Sequence, residues 1–492
     1  MVQCFFLSLL SVIACNGYKF LVYSPIFAYS PMNFMGAIAD ALTEAGHNVT
    51  VLMPVIETEY QDKIVVKLTK DIIKMLRNMS KLFSCQCERV ITDKAVMKRL
   101  EEEKFDVGFA EALSVCGLEI FDVLKLPSSI VTFSGVHMSL LATAIGEPLI
   151  PSYVPGGMST VGDRMNFFDR FKNALDEMFE PMFFGNIFNS EINVFRKHFG
   201  QNFKDYEQLF AEAAYVMTNS NPYLDFPRPM LHKTVPIGGV SVSNDSKRNK
   251  LSPEWDAVLN ERNTTVLVSF GSLAKAMYMP EEFKVSLLEV FESMPDTTFI
   301  MKYEEEGSKM ADHLPNVHLS TWFPQNALLA DPRLTAFVTH GGLGSVTELA
   351  FQGKPAVIIP VIADQLRNAP MLAKHGGGIV LDKSDLHSPE KLRDSLQKIL
   401  NDDSYAKNAK RLSKMLLNQP ISAKQLLIRH SEFAARFGRL PNLDPYGRQL
   451  SFMQYYLLDI LLVTVTVFAV VVYLIIRLFR KLLSLSVKAK RD

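Results

Sequence analysis

Short apolar runs alternate with amphipathic stretches of helical period along most of this chain. Lys19–Ser24 reads as a strand, and Asn33–Ala45 as a helix with Phe34, Ile38 and Leu42 on one face, stopped by Gly46. Val49–Met53 reads as the next strand. This opening is Rossmann-like, but it lacks the tight Gly-x-Gly-x-x-Gly turn of dinucleotide binders. A polar stretch, Ser241–Lys250, follows Pro236-Ile237-Gly238-Gly239 and reads as a linker. Thr264–Ser269 then restarts the pattern and runs into Gly271-Ser272, a loop suited to a phosphate. Strands that alternate with helices predict parallel sheets. A chain of 492 residues also exceeds a single core. The prediction is therefore an α/β protein with two Rossmann-like halves facing a cleft, residues 18–245 and 246–440. Ligands are expected beyond the carboxyl ends of the strands.

The two ends carry different patterns. Cys4–Ala14 is an apolar run followed by Cys15-Asn16-Gly17, which reads as a secretory signal peptide over residues 1–17. Ile460–Ile476 is uncharged and, with its flanks, predicts a transmembrane helix over 457–479. The tail, 480–492, is basic, so the bulk of the chain is expected on the lumenal side in type I topology. Lys488-Ala489-Lys490-Arg491-Asp492 is similar to a dilysine retrieval signal, which predicts residence in the endoplasmic reticulum membrane. Sequons at Asn48, Asn78, Asn244 and Asn263 suit that compartment, although Asn48 and Asn263 lead directly into strands. A long stretch, Phe167–Phe210, is rich in Phe and Met at helical spacing. It is read as core, with a membrane-associating surface as the alternative.

Composition narrows the function classes. Lysine plus arginine balances aspartate plus glutamate at 52 each, and the basic tail leaves the remainder slightly acidic, so nucleic acid is not an expected partner. Outside the signal peptide only Cys85, Cys87 and Cys116 remain, allowing at most one internal disulfide and offering no zinc-type set. The chain contains no Asp-x-Asp, which argues against a metal-chelating glycosyltransferase, and no cofactor is expected.

The most concentrated chemistry lies between Trp322 and Gln365. Trp322 can stack on a base, and Gln325 can read its edge. Thr339-His340-Gly341-Gly342 ends a predicted strand, Thr335–Thr339, and precedes a predicted helix, Ser345–Phe351. Glycines such as Gly342 let backbone amides approach a diphosphate, and a helix N-terminus adds favourable partial charge. His340 can donate to phosphate oxygens, Glu348 can accept from ribose hydroxyls, and Asp364 and Gln365 can hold sugar hydroxyls. Ser345 with Glu348 also fits a capping box, and Asp364 an N-cap. Taken together, in this order, the residues predict a UDP-sugar site.

The same block resembles the donor signature of animal UDP-glycosyltransferases, the UDP-glucuronosyltransferase family, and the similarity extends from Tyr18 to the tail. Many vertebrate members have Asn-Gly where this chain has Gly344-Ser345. The resemblance implies a GT-B architecture and metal-independent, inverting transfer of glucuronate or glucose to small lipophilic acceptors. It also implies that Ser272 and His340 hold the diphosphate. Family members place a catalytic His just after the first strand; here that position is Pro31. The family's acidic partner corresponds to Glu111. Three outcomes stay open: Glu111 serves as base, acceptors acidic enough need little help, or the chain is a donor-binding pseudoenzyme or regulatory subunit. A lipid or sterol carrier that uses only the N-terminal cleft is a further alternative. His137 is a substitute base only if the fold brings it to the cleft. Glucuronosyl members carry an Arg where this chain has Thr218, which tilts the donor toward a neutral hexose unless Lys275 or Arg367 supplies the cation. Assembly with itself or a relative is left open.

Overall fold

The computed structural model describes residues 17–26, 29–55, 72–243, 249–272 and 275–488. The expected signal peptide (but for Gly17), the Asn244 sequon and the last residues of the tail lie outside these.

Two six-stranded sheets, all parallel, form the scaffold. The first contains β1 (Lys19–Tyr23), β2 (Asn48–Leu52), β3 (Val107–Glu111), β4 (Ser128–Phe133), β5 (Tyr215–Thr218) and β6 (Thr234–Pro236), in the order β2-β1-β3-β4-β5-β6. The second contains β7 (Thr264–Ser269), β8 (Thr297–Lys302), β9 (Val317–Ser320), β10 (Leu334–Thr339), β11 (Ala356–Ile358) and β12 (Gly378–Val380). Its order is β12-β11-β10-β7-β8-β9. The α/β class and the two-domain layout expected from the sequence are thus present.

Both faces of each sheet are covered, as parallel sheets require. Along β1 the pleat sends Phe20 and Val22 to one face, with Phe34, Ile38 and Leu42, and Leu21 and Tyr23 to the other, with Phe121 and Phe188. In β7, Val266 and Val268 likewise oppose Leu267. Cys87 and Cys116 are bridged, Cα–Cα 5.8 Å, and Cys85 is free and exposed.

Four expectations need correction. The helix Ala423–Phe437, placed in the second half by the 246–440 boundary, returns to the first sheet. Ala423, Leu427 and Ala434 bury there against the cluster of Phe20, Phe109 and Met217. The first long helix spans Tyr29–Glu44 and not Asn33–Ala45, so Pro31 lies inside it as its third residue. Its missing N–H still falls among the N-terminal groups that have no intrahelical acceptor, so the proline is tolerated. The helix after β10 is Leu343–Gln352 with Gly342 as N-cap and no side-chain cap, so Ser345 and Glu348 do not form a capping box. Finally, Phe167–Phe199 is one helix, and only its second half is core: Ile187, Phe188, Ile192 and Phe195 are buried, whereas Phe168 is 77% exposed.

Residues Asp444–Asp492 form a separate unit. Within it the helix Leu458–Lys488 contains one stretch, Leu458–Leu483, long and apolar enough to cross a membrane.

Candidate active site

Each sheet reverses its strand order once, which opens a crevice at the carboxyl ends of the strands flanking the reversal. In the second sheet these strands are β7 and β10. Gly271 and Ser272 follow β7, and His340, Gly341 and Gly342 follow β10. The two loops touch through His340. A Cβ at either Gly271 or Gly342 would stand 2.5 Å from its Nε2, so the imidazole fits only because both positions are glycine. Gly271 also has φ +92°, a conformation that disfavours any side chain. Burial, reinforced by Lys302, lowers the His340 pKa to about 4. The ring is therefore neutral and its Nδ1 is buried without a protein partner. A neutral imidazole brings no charge to a phosphate, and the backbone of Ser269 already takes a hydrogen bond from the ring.

The charge comes from Lys302, which sequence reasoning missed. It closes β8, its Nζ donates to the Gly271 carbonyl at 2.8 Å, and it lies 5.0 Å from the centre of the Trp322 ring. Burial lowers its pKa, and Glu304, 3.7 Å away, opposes that shift. A single cation ending the β-prone run Thr297–Met301 at the ligand edge of a sheet was the available signal.

Gln325 ties the rest together. Its Nε2 donates to Ser345 Oγ at 3.0 Å and to Glu348 Oε2 at 2.7 Å. Burial raises the Glu348 pKa. The Trp322 indole is 57% exposed, available for stacking. Asp364 accepts from Asn368 Nδ2 at 2.8 Å, and burial raises its pKa. The preceding Ala363 has φ +54°. Gln365 points its Oε1 back to the amides of Val361 and Ile362, at 2.9 and 3.0 Å. Only its amide N–H groups remain for a ligand. Ser272 is exposed beside Gly271.

The first sheet reverses between β1 and β3, and Glu111 ends β3. Its carboxyl is fully buried and receives the Ser134 amide at 3.0 and 3.2 Å and the Ser134 hydroxyl at 3.1 Å. Burial outweighs those bonds and raises its pKa to about 8. Asn219 donates to the Ser134 carbonyl at 3.1 Å, and Thr218 shares a bond of 2.7 Å with Ser220. The site of the family's arginine is thus a small buried hydroxyl. The start of the Tyr29–Glu44 helix reaches the donor residues of the other half: Tyr29 packs edge-to-face on Trp322 with ring centres 5.4 Å apart. Ser30 Oγ would be 4.0 Å from a Cβ at Gly344. Pro31 lies one residue further into that helix.

Two expected substitutes are already engaged by other groups. His137 is buried and accepts from Arg228 at 2.8 Å, while Arg228 pairs with Glu147 at 2.6 Å. Burial, followed by Arg228, holds its pKa well down, which makes it a structural histidine. Arg367 is buried, paired with Asp225 at 2.8 Å and bonded to the Pro155 carbonyl at 3.2 Å. It is not free to meet a sugar carboxylate.

Comparison with known proteins agrees with this arrangement. Residues 45–492 match the family model described as UDP-glucoronosyl and UDP-glucosyl transferase. Rat UDP-glucuronosyltransferase 1A8 is 29% identical over 80% of this chain and 72% of its own. Human UDP-glucuronosyltransferase 1A6 is 29% identical over 77% and 70%. Among solved structures, a UDP-glucosyltransferase from Polygonum tinctorium superposes with TM-score 0.58 at 15% identity, covering 86% of this chain and 98% of its own. The kitacinnamycin glycosyltransferase gives 0.57 at 16%, covering 86% and 99%. Those two likenesses concern the GT-B fold alone. A parallel double-sheet fold, matched by a family model over most of the chain, places this protein in the UDP-glucuronosyl and UDP-glucosyl transferase family, as a glycosyltransferase.

Proposed function

We propose that the chain transfers a hexose from a UDP-sugar to a hydroxyl of a small lipophilic acceptor, with inversion and without a metal, preferring UDP-glucose to UDP-glucuronate. The observation that carries this reading is the convergence of Trp322, Lys302, His340 and the Gln325–Ser345–Glu348 bonds on one switch point. The indole stacks on uracil, Gln325 reads its edge, and Glu348 accepts from the ribose. Lys302 and the N-terminus of the Leu343–Gln352 helix meet the diphosphate charge. Asp364 and the Gln365 amide hold the sugar. The acceptor oxygen attacks the anomeric carbon as the bond to UDP breaks. Its proton passes to the Glu111 carboxylate, whose raised pKa suits a base working near neutrality. A neutral donor is favoured because Thr218 carries no charge and Arg367 is already paired. That leaves Lys275, near enough to Lys302 to help lower its pKa, as the one expected cation still able to meet a sugar carboxylate.

The reading also puts the enzyme in the endoplasmic reticulum membrane, type I, with its two halves in the lumen, supported by the apolar Leu458–Leu483 helix and the basic tail. Pro31 favours a second reading, a donor-binding subunit without turnover. UDP release in membranes holding the full chain separates the two. Wild type and Pro31→His are each given UDP-glucose or UDP-glucuronate with a panel of phenols and aliphatic alcohols. Wild-type turnover, faster with UDP-glucose, supports the first reading. Turnover only after Pro31→His establishes the second.

A further inference from the structure

The helix that begins beside Asp364, Gln365–Ala373, is gripped along its length by the other half of the molecule. Near its start, the buried Arg367 guanidinium pairs with Asp225 at 2.8 Å and donates through Nε to the Pro155 carbonyl at 3.2 Å. Just past its end, Lys374 pairs with Asp163 at 2.5 Å, and His375 Nε2 lies 2.9 Å from the Leu224 carbonyl. Both cations lie over the Phe226 ring, 5.3 Å from its centre for Arg367 and 5.0 Å for Lys374. Between them, Ala369, Met371 and Leu372 bury in one cluster with Leu224 and Phe226. The anchors are themselves held. Pro155 lies between Val154 and Gly156, both bonded to the buried Asn173, at 2.8 and 3.0 Å. The Asp225 amide reaches the Asn221 carbonyl at 2.8 Å, and Asn221 Nδ2 reaches the Gly238 carbonyl at 3.2 Å. Desolvation offsets most of the attraction in a buried ion pair, so stability alone does not account for this clasp.

We propose that Arg367 and Lys374 are positioning residues for the donor sugar. Through Asp225 and Asp163 they hold the Gln365–Ala373 helix in register with the half that carries Glu111. The inference rests on the reading that Asp364 and Gln365 hold that sugar. The link is mechanical and short. Asp364 precedes the helix and accepts from Asn368 inside it at 2.8 Å, and Gln365 is the first helical residue, so both move when the helix moves. Trp322, Gln325 and Glu348, which grip the nucleotide in the same reading, lie on other segments, and Gln325 bonds to Glu348 and Ser345 there. Loosening the clasp therefore shifts the sugar contacts and leaves the nucleotide contacts in place. A pair at each end of the helix resists tilting as a single pair does not.

The test uses the full chain in detergent micelles and measures affinities for UDP and for UDP-glucose by calorimetry, beside the melting temperature. In Arg367→Met/Asp225→Asn no buried charge is left unpaired, and an oxygen remains for the Phe226 amide. The expected result is an affinity for UDP-glucose lowered about tenfold, the worth of one charged hydrogen bond, with UDP affinity within about twofold of wild type. Melting should change little. The half-buried Lys374–Asp163 pair, at the far end of the helix from Asp364, supplies the rescue. Lys374→Asp and Asp163→Lys should each lower UDP-glucose affinity about two- to fivefold, and the two together should restore it. Equal losses for UDP and UDP-glucose, or no loss in any variant, overturn the clasp while the donor site stands. So does a charge-reversed double variant no better than the singles. Asp364→Asn tests the reading beneath. No selective loss of UDP-glucose affinity there means that the sugar is held elsewhere, and this inference falls with that reading.

Discussion

Replacing Glu111 by glutamine keeps the side chain's size and an oxygen for the Ser134 amide, but removes the ionisable group. Two consequences follow from one pKa raised from 4.5 to about 8 by burial. In the wild type roughly a tenth of the carboxyls are ionised at pH 7. Turnover that needs the carboxylate should therefore climb about tenfold per pH unit and level off above pH 8. Glu111→Gln should lose ~10² to 10⁴ in kcat and lose that slope. Stability moves the other way. The folded protein holds this proton more tightly than the unfolded chain, so the contribution is complete below pH 4.5 and is lost as pH rises through 8. The full span is on the order of 4 to 5 kcal/mol. The variant should therefore unfold later than wild type at pH 9, with the advantage shrinking toward pH 5. The assays are UDP release and thermal unfolding across pH 5 to 9. Undiminished turnover in Glu111→Gln would refute the base assignment. Parallel stability curves for the two proteins would refute the buried, proton-holding carboxyl itself.

Lys302→Met removes the cation while keeping the stem, and should weaken UDP binding by calorimetry about ten- to a hundredfold, in line with a charge-assisted contact of ~1.5–3 kcal/mol. An unchanged affinity would take Lys302 out of the donor site. Gly342→Ala places a Cβ 2.5 Å from His340 Nε2 without a positive φ, so the loss of donor affinity should exceed the loss of melting temperature. If only stability falls, the imidazole is packing and not a ligand contact. Asp225→Ala strands the buried Arg367 guanidinium and should destabilise by about 3–5 kcal/mol in denaturant titration; a shift of less than 1 kcal/mol would show that water reaches the pair.

The sequence by itself determined the alternation that makes two parallel sheets, because the apolar runs of β1 and β7 and the helical period of Phe34, Ile38 and Leu42 are local properties of the chain. It also singled out Gln325, Ser345 and Glu348, which lie on two short helices joined through β10; that they bond to one another was seen only in the structure. The proline in place of the catalytic histidine was equally plain. What the sequence did not determine were relations between distant segments. Arg367 looked free until Asp225 was seen beside it, and His137 until Arg228 was. Lys302 gained its place only when β8 and β7 set it against Gly271 and the Trp322 ring. The Phe–Met stripe at 167–182 read as core because periodicity reports that a helix has two faces, but not which one the rest of the chain will cover. That choice is made by long-range packing: Asn173 and Glu180 found buried partners, and the phenylalanines were left outside.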